Sequence, residues 1–332
     1  MTGRETVRQK GESRISERAA AMGALKQRLG ALVDAIPADA PVIYLDIPIH
    51  LNVGDLLIFA GTERLLARHM RQVTHRFSSK DYARFLDAVT DRHVLLMHGG
   101  GNLGDLWPEH ESVRQDILRR FPHNRVVVFP QTVHFRDMGN AAACGAAYRD
   151  HPDCILFVRD ETSRKVAERH MGVPCRTAPD AAHHLWRSGD IYRADAGGRG
   201  ELVLRRTDQE AAESERAPDG IDWQDIITPA DRAIFRMQKH AIRLNSSVPL
   251  QALLMGSWRG HRDRVIRRAS THFRTRSRIR TDRLHAVILG CLLGKEVIME
   301  DNNYGKLSAY FDTWMPELIP RGRVHPDPAS RA

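Results

Sequence analysis

The chain has 332 residues, 42% of them hydrophobic and 27% charged, with 50 Lys and Arg against 41 Asp and Glu for a formal charge of +9. This is an ordinary globular composition at a length that suggests about two domains, and no stretch reaches the roughly 18 apolar residues of a membrane-spanning helix. The four cysteines, Cys144, Cys154, Cys175 and Cys291, show neither a CxxC pair nor metal-ligand spacing. They read as reduced and structural, which together with a charged N-terminus lacking an apolar signal core leads us to expect a cytoplasmic protein. The basic balance favours an anionic partner without choosing among phosphorylated substrates, acidic glycans, nucleic acid and a membrane face.

Residues 1 to about 15 are polar. From Ile15 to Ile36 apolar residues recur on one helical face opposite Arg and Lys. Such a helix can lie on an anionic membrane surface, at the inner face of the cytoplasmic membrane. Its commoner use is to pack on its own domain or on a partner subunit, and a homo-oligomer stays open. Pro37 and Pro41 end it. Val42–Ile47 reads as a strand and about Leu56–His69 as a helix, with His50, Asn52, Gly54 and Asp55 in the turn between them. That turn belongs at the carboxyl edge of an α/β sheet, where ligands bind, although Asn52 or Asp55 can equally cap the helix.

The cycle repeats. His93–Met97 is a strand followed at once by Gly99-Gly100-Gly101-Asn102, where glycines allow close backbone approach to a ligand. The pattern is neither GxGxxG nor a phosphate-binding P-loop. Arg125–Phe129 leads to Pro130-Gln131-Thr132, and Cys154–Val158 leads to Arg159-Asp160-Glu161 and a helix through about His170. Asp180–Leu185 closes this half. Residues 187–200 read as a glycine-rich linker, Glu201–Leu204 as a strand opening a second unit, and 209–220 as an exposed polar segment. Helical patterns at 231–244 and 249–255 precede a run, 259–283, with ten arginines. The chain thus divides into a basic helical extension over 1–36, Rossmann-like units over 37–190 and 191–320, and a tail over 321–332.

Thr281–Ala286 opens an apolar helix that runs to Leu293 and stops at Gly294, with Thr281 or Asp282 expected as its cap. Arg283 and His285 fall in the first turn, where unpaired N–H groups and the positive helix end favour anions. The structural alternative is an Arg283 paired with a local carboxylate and a satisfied core histidine. A strand at Val297–Met299, the stretch Asp301–Lys306 and a last helix at Leu307–Trp314 follow.

Six stretches in this order, Asn52-Val-Gly-Asp55, Gly99-Gly-Gly-Asn102, Pro130-Gln131, Arg159-Asp160, Asp282-Arg-Leu-His-Ala286 and Asn303-Tyr-Gly-Lys306, resemble the polysaccharide pyruvyl transferases over residues 42–315. The resemblance implies two Rossmann-like α/β domains facing a cleft, as in GT-B glycosyltransferases. It implies phosphoenolpyruvate as donor, with no cofactor or metal. The acceptor would be a sugar of an exopolysaccharide or of its lipid-linked oligosaccharide precursor, and the product a pyruvate ketal. By this resemblance His285 matches the general acid, and Arg159 and Arg283 match donor-binding arginines. Gly100, Gly101, Asn102, Gln131 and Lys306 are expected beside the donor, and Asn52, Asp55 and Tyr304 beside the acceptor. Asp55 and His50 are candidates for the base, as is the departing phosphate. Arginine's planar fork suits a compact polyanion. The helix end and Arg283 should disfavour a charged His285 until the anionic donor binds.

Two other readings stand beside this one. A GT-B glycosyltransferase would share the cleft but take a nucleotide sugar. A non-catalytic polyanion binder would use the 259–283 arginines, but only Phe273 lies among them to stack on bases, so no nucleic acid is expected.

Overall fold

A computed structural model describes residues 17–195, 197–207, 220–301 and 305–315. The polar N-terminal residues 1–15, the polar segment 209–219, Tyr304 and the 321–332 tail lie outside the described residues.

Helix α1 (17–28) and α2 (Gly30–Asp34) come first. β1 (Val42–Leu45), α3 (Val53–Arg68), β2 (Val73–Arg76), β3 (Val94–Met97), β4 (Gly100–Gly104), α4 (Pro108–Arg120), β5 (Val126–His134), α5 (Asn140–Asp150), β6 (Cys154–Val158), α6 (Glu161–Arg169) and β7 (Cys175–Thr177) build the first sheet and its cover. Its strands are all parallel, in the order β2-β1-β3-β5-β6-β7, with β4 beside β5 beyond the end of β3. Strands such as Val94–Met97 are apolar at every position because helices cover both faces of a parallel sheet.

The strand period sorts these residues. Tyr44, Leu96, Val127 and Phe129 enter one apolar cluster, while Ile43, Leu45, Leu95, Met97, Val126 and Val128 enter the other. From β1 the chain goes outward to β2 and then returns to β3 on the opposite side. A crevice therefore opens at the carboxyl ends of β1 and β3, the position where such sheets take ligands.

The second sheet is also parallel, order β10-β9-β8, from β8 (Glu201–Leu204), β9 (Arg278–Thr281) and β10 (Glu296–Met299). Between β8 and β9 lie α7 (Trp223–Ile226), α8 (Pro229–Leu244) and α9 (Val248–Arg274), and α10 (Leu284–Leu292) and α11 (Lys306–Trp314) complete the described chain. The first apolar cluster runs without a break from Tyr44 and Phe59 into Leu204, Ile279 and the α10 residues Ala286–Leu289. The two sheets thus share one core.

Four features differ from the sequence-based expectations. β2 escaped notice because Val-Thr-His-Arg is short and half-buried. Residues 187–200 are no free linker, since Tyr192 is fully buried among core residues. The helix expected at 249–255 and much of the arginine run form one helix, α9. Its buried stripe of Trp258, Arg262, Val265, Ile266, Ala269 and Phe273 has helical spacing that the arginines disguise. Finally, these arginines are largely occupied within the chain. Arg262 lies 4.6 Å over the Phe59 ring, Arg259 bridges to Glu63, Arg268 to Asp231, and Arg280 to Glu201 and Glu300.

The apolar face of α1 and α2, Met22, Leu25, Leu29, Leu32 and Val33, is buried in the first cluster, and the Lys26 ammonium donates to the Trp186 carbonyl at 2.6 Å. That face is covered by the chain itself. No helix among the described residues is long and apolar enough to cross a membrane.

Trp258 ties α9 to the loop after β1. It is fully buried, and its indole N–H donates to the Pro48 carbonyl at 3.0 Å. Trp258→Ala should destabilise the fold by about 3–5 kcal/mol, the usual cost of removing a buried aromatic. Denaturant unfolding would show this as a lower midpoint; an unchanged midpoint would mean that α9 is not anchored there.

Candidate active site

The crevice at the carboxyl ends of β1 and β3 faces the carboxyl ends of β8 and β9, and a cavity of about 300 Å³ lies between them. Asp46, Pro48, His50, Asn52, Asp55, His98, Gly101, Asn102, Trp107 and His110 line it from the first sheet, joined by Arg159 from the end of β6. Arg206, Trp223, Arg283, Leu284 and His285 line it from the second. Four imidazoles and three guanidiniums thus meet in one space.

Local chemistry explains how each wall forms. Asn52 caps α3, its side-chain oxygen accepting the Gly54 N–H at 2.9 Å. Asp55 follows in the first turn, where the helix end favours a carboxylate. Gly54 has no side chain because His285 leaves no room: an added Cβ would lie 2.6 Å from the imidazole Nδ1. Gly100, at φ 139°, makes a turn that L-residues rarely adopt and so brings Gly101 and Asn102 to the cavity. Asn102 is pinned by Arg114, which donates to both its carbonyl and its side-chain oxygen.

His285 enters from the first turn of α10. Its Nε2 lies 3.1 Å from Asp180 Oδ2, and Arg159 Nη1 donates to the same oxygen at 2.9 Å. Burial alone would raise the Asp180 carboxyl, but His285 and then Arg159 hold it well below the usual carboxylate range. An ionised Asp180 only accepts, so His285 carries a proton on Nε2. The proton it can give up as an imidazolium is then the one on Nδ1, above Gly54.

Arg283 forks onto Asp222, with Nη2 2.6 Å from Oδ2 and Nε 2.6 Å from Oδ1. Both features of the structural alternative are therefore present, a paired arginine and a partnered histidine, yet both residues also line the cavity. The expected cap is corrected: Arg283 occupies the cap position of α10 without a side-chain cap bond. Thr281 accepts from the Arg283 N–H instead, and Asp282 accepts from the Arg206 N–H at 2.9 Å. The first turn of α10 is thus left facing the cavity without a side-chain cap among the described residues.

Two sequence-derived donor residues stand behind the wall. Gln131 is fully buried and braces the glycine loop, donating to the His98 carbonyl at 2.7 Å and accepting from the Asn102 N–H. Gly100 shapes the loop but does not line the cavity. Lys306 opens α11, and Tyr304 lies outside the described residues.

Asp46, His98, Trp107, His110, Asp180, Arg206 and Trp223 were not singled out by sequence reasoning. Five of these seven follow the end of a parallel strand within a few residues, a position that could have flagged them. His110 and Trp223 sit at helix starts and gave no such signal. Asp46 is 2% exposed and left-handed at φ 56°, a conformation costing on the order of 1–3 kcal/mol for a residue other than glycine. It accepts from His110 Nδ1 at 2.8 Å. His98 Nδ1 is 2.5 Å from the Tyr44 hydroxyl. Burial drives the Tyr44 phenol far above its ordinary pKa and holds the His98 imidazole down to about 4. Tyr44 therefore donates to Nδ1, and the neutral ring carries its proton on Nε2. That nitrogen is buried without a protein partner among the described residues, so it offers a donor to a ligand.

Burial tends to raise the Asp55 carboxyl, but His50, His285, His98 and His110 together lower it below its usual range. Burial also lowers the His50 imidazole. The cavity therefore combines a carboxylate held ionised at Asp55, two imidazoles that burial holds toward the neutral form at His50 and His98, and the fixed cations of its arginines.

A sequence profile of the polysaccharide pyruvyl transferases matches residues 52–304. The chain is 30% identical over 309 residues to the putative pyruvyl transferase EpsO of Bacillus subtilis (strain 168), covering 91% of this chain and 94% of the relative. It is 28% identical over 292 residues to Pyruvyl transferase 1 of Schizosaccharomyces pombe, covering 82% and 69%. Among solved structures, a Klebsiella pneumoniae protein of uncharacterised function superposes with a TM-score of 0.55 at 19% identity over 87% of this chain and 93% of its own, a likeness of fold.

Gly54→Ala tests the close approach of α3 to His285. The variant should keep its helical content but push the imidazole off Asp180. The ring ¹H–¹⁵N resonances of His285 should then move and lose the Asp180 hydrogen-bond signature. Unperturbed His285 resonances in a folded variant would show that the two do not touch.

Proposed function

The chain belongs to the polysaccharide pyruvyl transferase family, and from that premise we propose that it transfers the pyruvyl group of phosphoenolpyruvate to a sugar of an exopolysaccharide or its lipid-linked precursor. The product is a pyruvate ketal, and phosphate is released. The observation that carries this reading is a cavity in which His285 stands beside Arg283, Arg206 and Arg159. It places a proton donor next to a set of cations suited to a small dense anion.

On this reading the two sheets are Rossmann-like domains, over 37–190 and 191–320, facing a cleft in the GT-B manner. The phosphate and carboxylate of the donor lie against Arg206, Arg283 and the start of α10, with Arg159 beneath. Asp222 and Asp180 hold two of these arginines in place, so the donor meets preset guanidinium groups and little side-chain entropy is lost on binding. The glycine loop at Gly101 and Asn102 and the Nε2–H of His98 border the same space. The acceptor enters along Asn52, His50 and Asp55, which can orient its hydroxyls.

The reaction then has two parts. One acceptor hydroxyl oxygen bonds to C2 of phosphoenolpyruvate, C3 takes a proton from His285 to become a methyl group, and the hydroxyl proton goes to a base. The C2–O bond to phosphate then breaks, and a second hydroxyl closes the ketal as it loses its proton. His285 suits the acid role because a charged imidazole is favoured once the donor's anionic groups are bound. No step above calls on a cofactor. Since the apolar face of α1 is covered, any contact of that helix with anionic lipid is electrostatic, through its Arg and Lys face, and weakens with salt.

Incubation with phosphoenolpyruvate and a panel of synthetic or lipid-linked oligosaccharides should release phosphate and add one pyruvyl ketal to the acceptor mass. No phosphate and no mass gain across the panel, against turnover of a nucleotide sugar, would replace this reading by a glycosyltransferase. Arg283→Lys keeps the charge but loses the fork on Asp222. It should weaken phosphoenolpyruvate binding roughly tenfold to a hundredfold, the worth of about one hydrogen bond to a charged group. Calorimetry giving wild-type affinity would remove Arg283 from the donor site.

A further inference from the structure

The proton taken from the acceptor hydroxyl needs a base, and the cavity holds a histidine built for that task to which no role has yet been given. His110 is at the third position of α4, after Trp107 and Pro108, and it lines the cavity. Its Nδ1 lies 2.8 Å and 3.0 Å from the two carboxylate oxygens of Asp46. We propose that His110, oriented by Asp46, is the general base that accepts the proton of the attacking sugar hydroxyl. This rests on the pyruvyl-transfer reading and adds to it the residue on the acceptor side.

The tautomer follows from the partner. Asp46 is buried at the end of β1, with Arg114 Nη2 3.9 Å away and with both oxygens facing the ring. An ionised carboxylate only accepts, so Nδ1 carries a proton whether the ring is neutral or charged. The lone pair of the neutral ring is then on Nε2, which has no protein partner among the described residues. A carboxylate that fixes one imidazole nitrogen as donor and leaves the other basic is the arrangement by which histidines activate hydroxyls. Asp46 reaches this position only through its left-handed backbone at φ 56°. Such strain recurs where a side chain must be aimed. Trp107 lines the same wall and offers a flat apolar surface to the C–H face of a sugar ring.

The other candidates are weaker bases. Asp55 is held below the ordinary carboxylate range and His50 below the ordinary histidine range. Burial lowers His110 too, but the hydrogen bond and charge of Asp46 outweigh it, and the net shift is upward. The groups acting on His110 are Asp46 at the end of β1, Asp55 and His50 around the start of α3, and Arg114 and Glu109 on its own helix.

The protons balance. The first hydroxyl gives its proton to His110 Nε2 as its oxygen bonds to C2, while His285 protonates C3. The proton on His110 then leaves with the departing phosphate. The second hydroxyl closes the ketal and returns its proton to His285. Both histidines are restored.

The test uses the full chain and two variants. His110→Gln should bind phosphoenolpyruvate as wild type does but lose roughly a hundredfold to ten-thousandfold in turnover, together with the acidic limb of the rate profile. The sign is fixed by the shift. The base works when neutral, so the wild-type rate falls as pH drops through the raised pKa of His110, and Asp46→Asn should move that limb to lower pH. A folded His110→Gln that keeps its rate and its acidic limb overturns the proposal. Imidazole NMR titration of His110 gives a readout that needs no activity. Titration above the ordinary histidine range in wild type, lowered in Asp46→Asn, supports the dyad even if no acceptor in the panel is pyruvylated. Titration at or below the ordinary value in wild type overturns it whatever the reaction.

Discussion

Asp180 is the joint on which the site depends. Its Oδ2 takes Arg159 from the end of β6 and His285 from α10, its Oδ1 takes the Ala182 N–H, and its own N–H donates to the Tyr310 hydroxyl on α11. One carboxylate, 1% exposed, therefore links the first sheet to two helices of the second half. Burying such a charge is costly unless it is paired and hydrogen-bonded, and here Arg159, His285 and the Ala182 N–H all meet it. The geometry fixes where Arg159 and His285 stand relative to each other, so the position of the His285 imidazole is set by the core.

The same principle recurs around the cavity. Asp222 aims Arg283, Asp46 aims His110, and Asp282 holds the backbone at Arg206. In each of these three cases a carboxylate stands behind a cavity residue and holds its side chain or its backbone. The result is a preset array of cations and imidazoles that, on the proposed reading, has little to reorganise when an anionic donor binds. The net charge of +9 favours an anionic ligand.

Much of this was legible in the sequence. The apolar runs at 42–47, 93–97 and 125–129 read as buried parallel strands because nothing else keeps four apolar residues in line between glycine and polar turns. His50 and Asp55, in the turn after the first of them, followed from the rule that ligands sit at carboxyl ends. Arg283 and His285 were placed at a helix start by the capping pattern and the anion preference of that end, and Arg159 as a donor residue came from the family resemblance. What stayed hidden had physical reasons. Asp46 and Asp180 act through partners 64 and 105 residues away, a pairing that no local pattern encodes. Gln131 looked like a ligand because it follows a strand, yet its strand continues and turns it inward to brace the glycine loop. In α9 the arginines masked the stripe that buries Trp258 and Phe273, so a structural helix read as a basic surface.

The central claim is that His285 delivers a proton to a bound donor while Asp180 holds its ring. His285→Gln retains size and a hydrogen-bonding group for Asp180 but cannot supply the proton. The direct measurement is turnover of this variant at saturating phosphoenolpyruvate, paired with a thermal melt. The account predicts an unchanged melt, near-normal donor binding and a rate lower by roughly a hundredfold to ten-thousandfold. Near-normal turnover in a folded variant would contradict it.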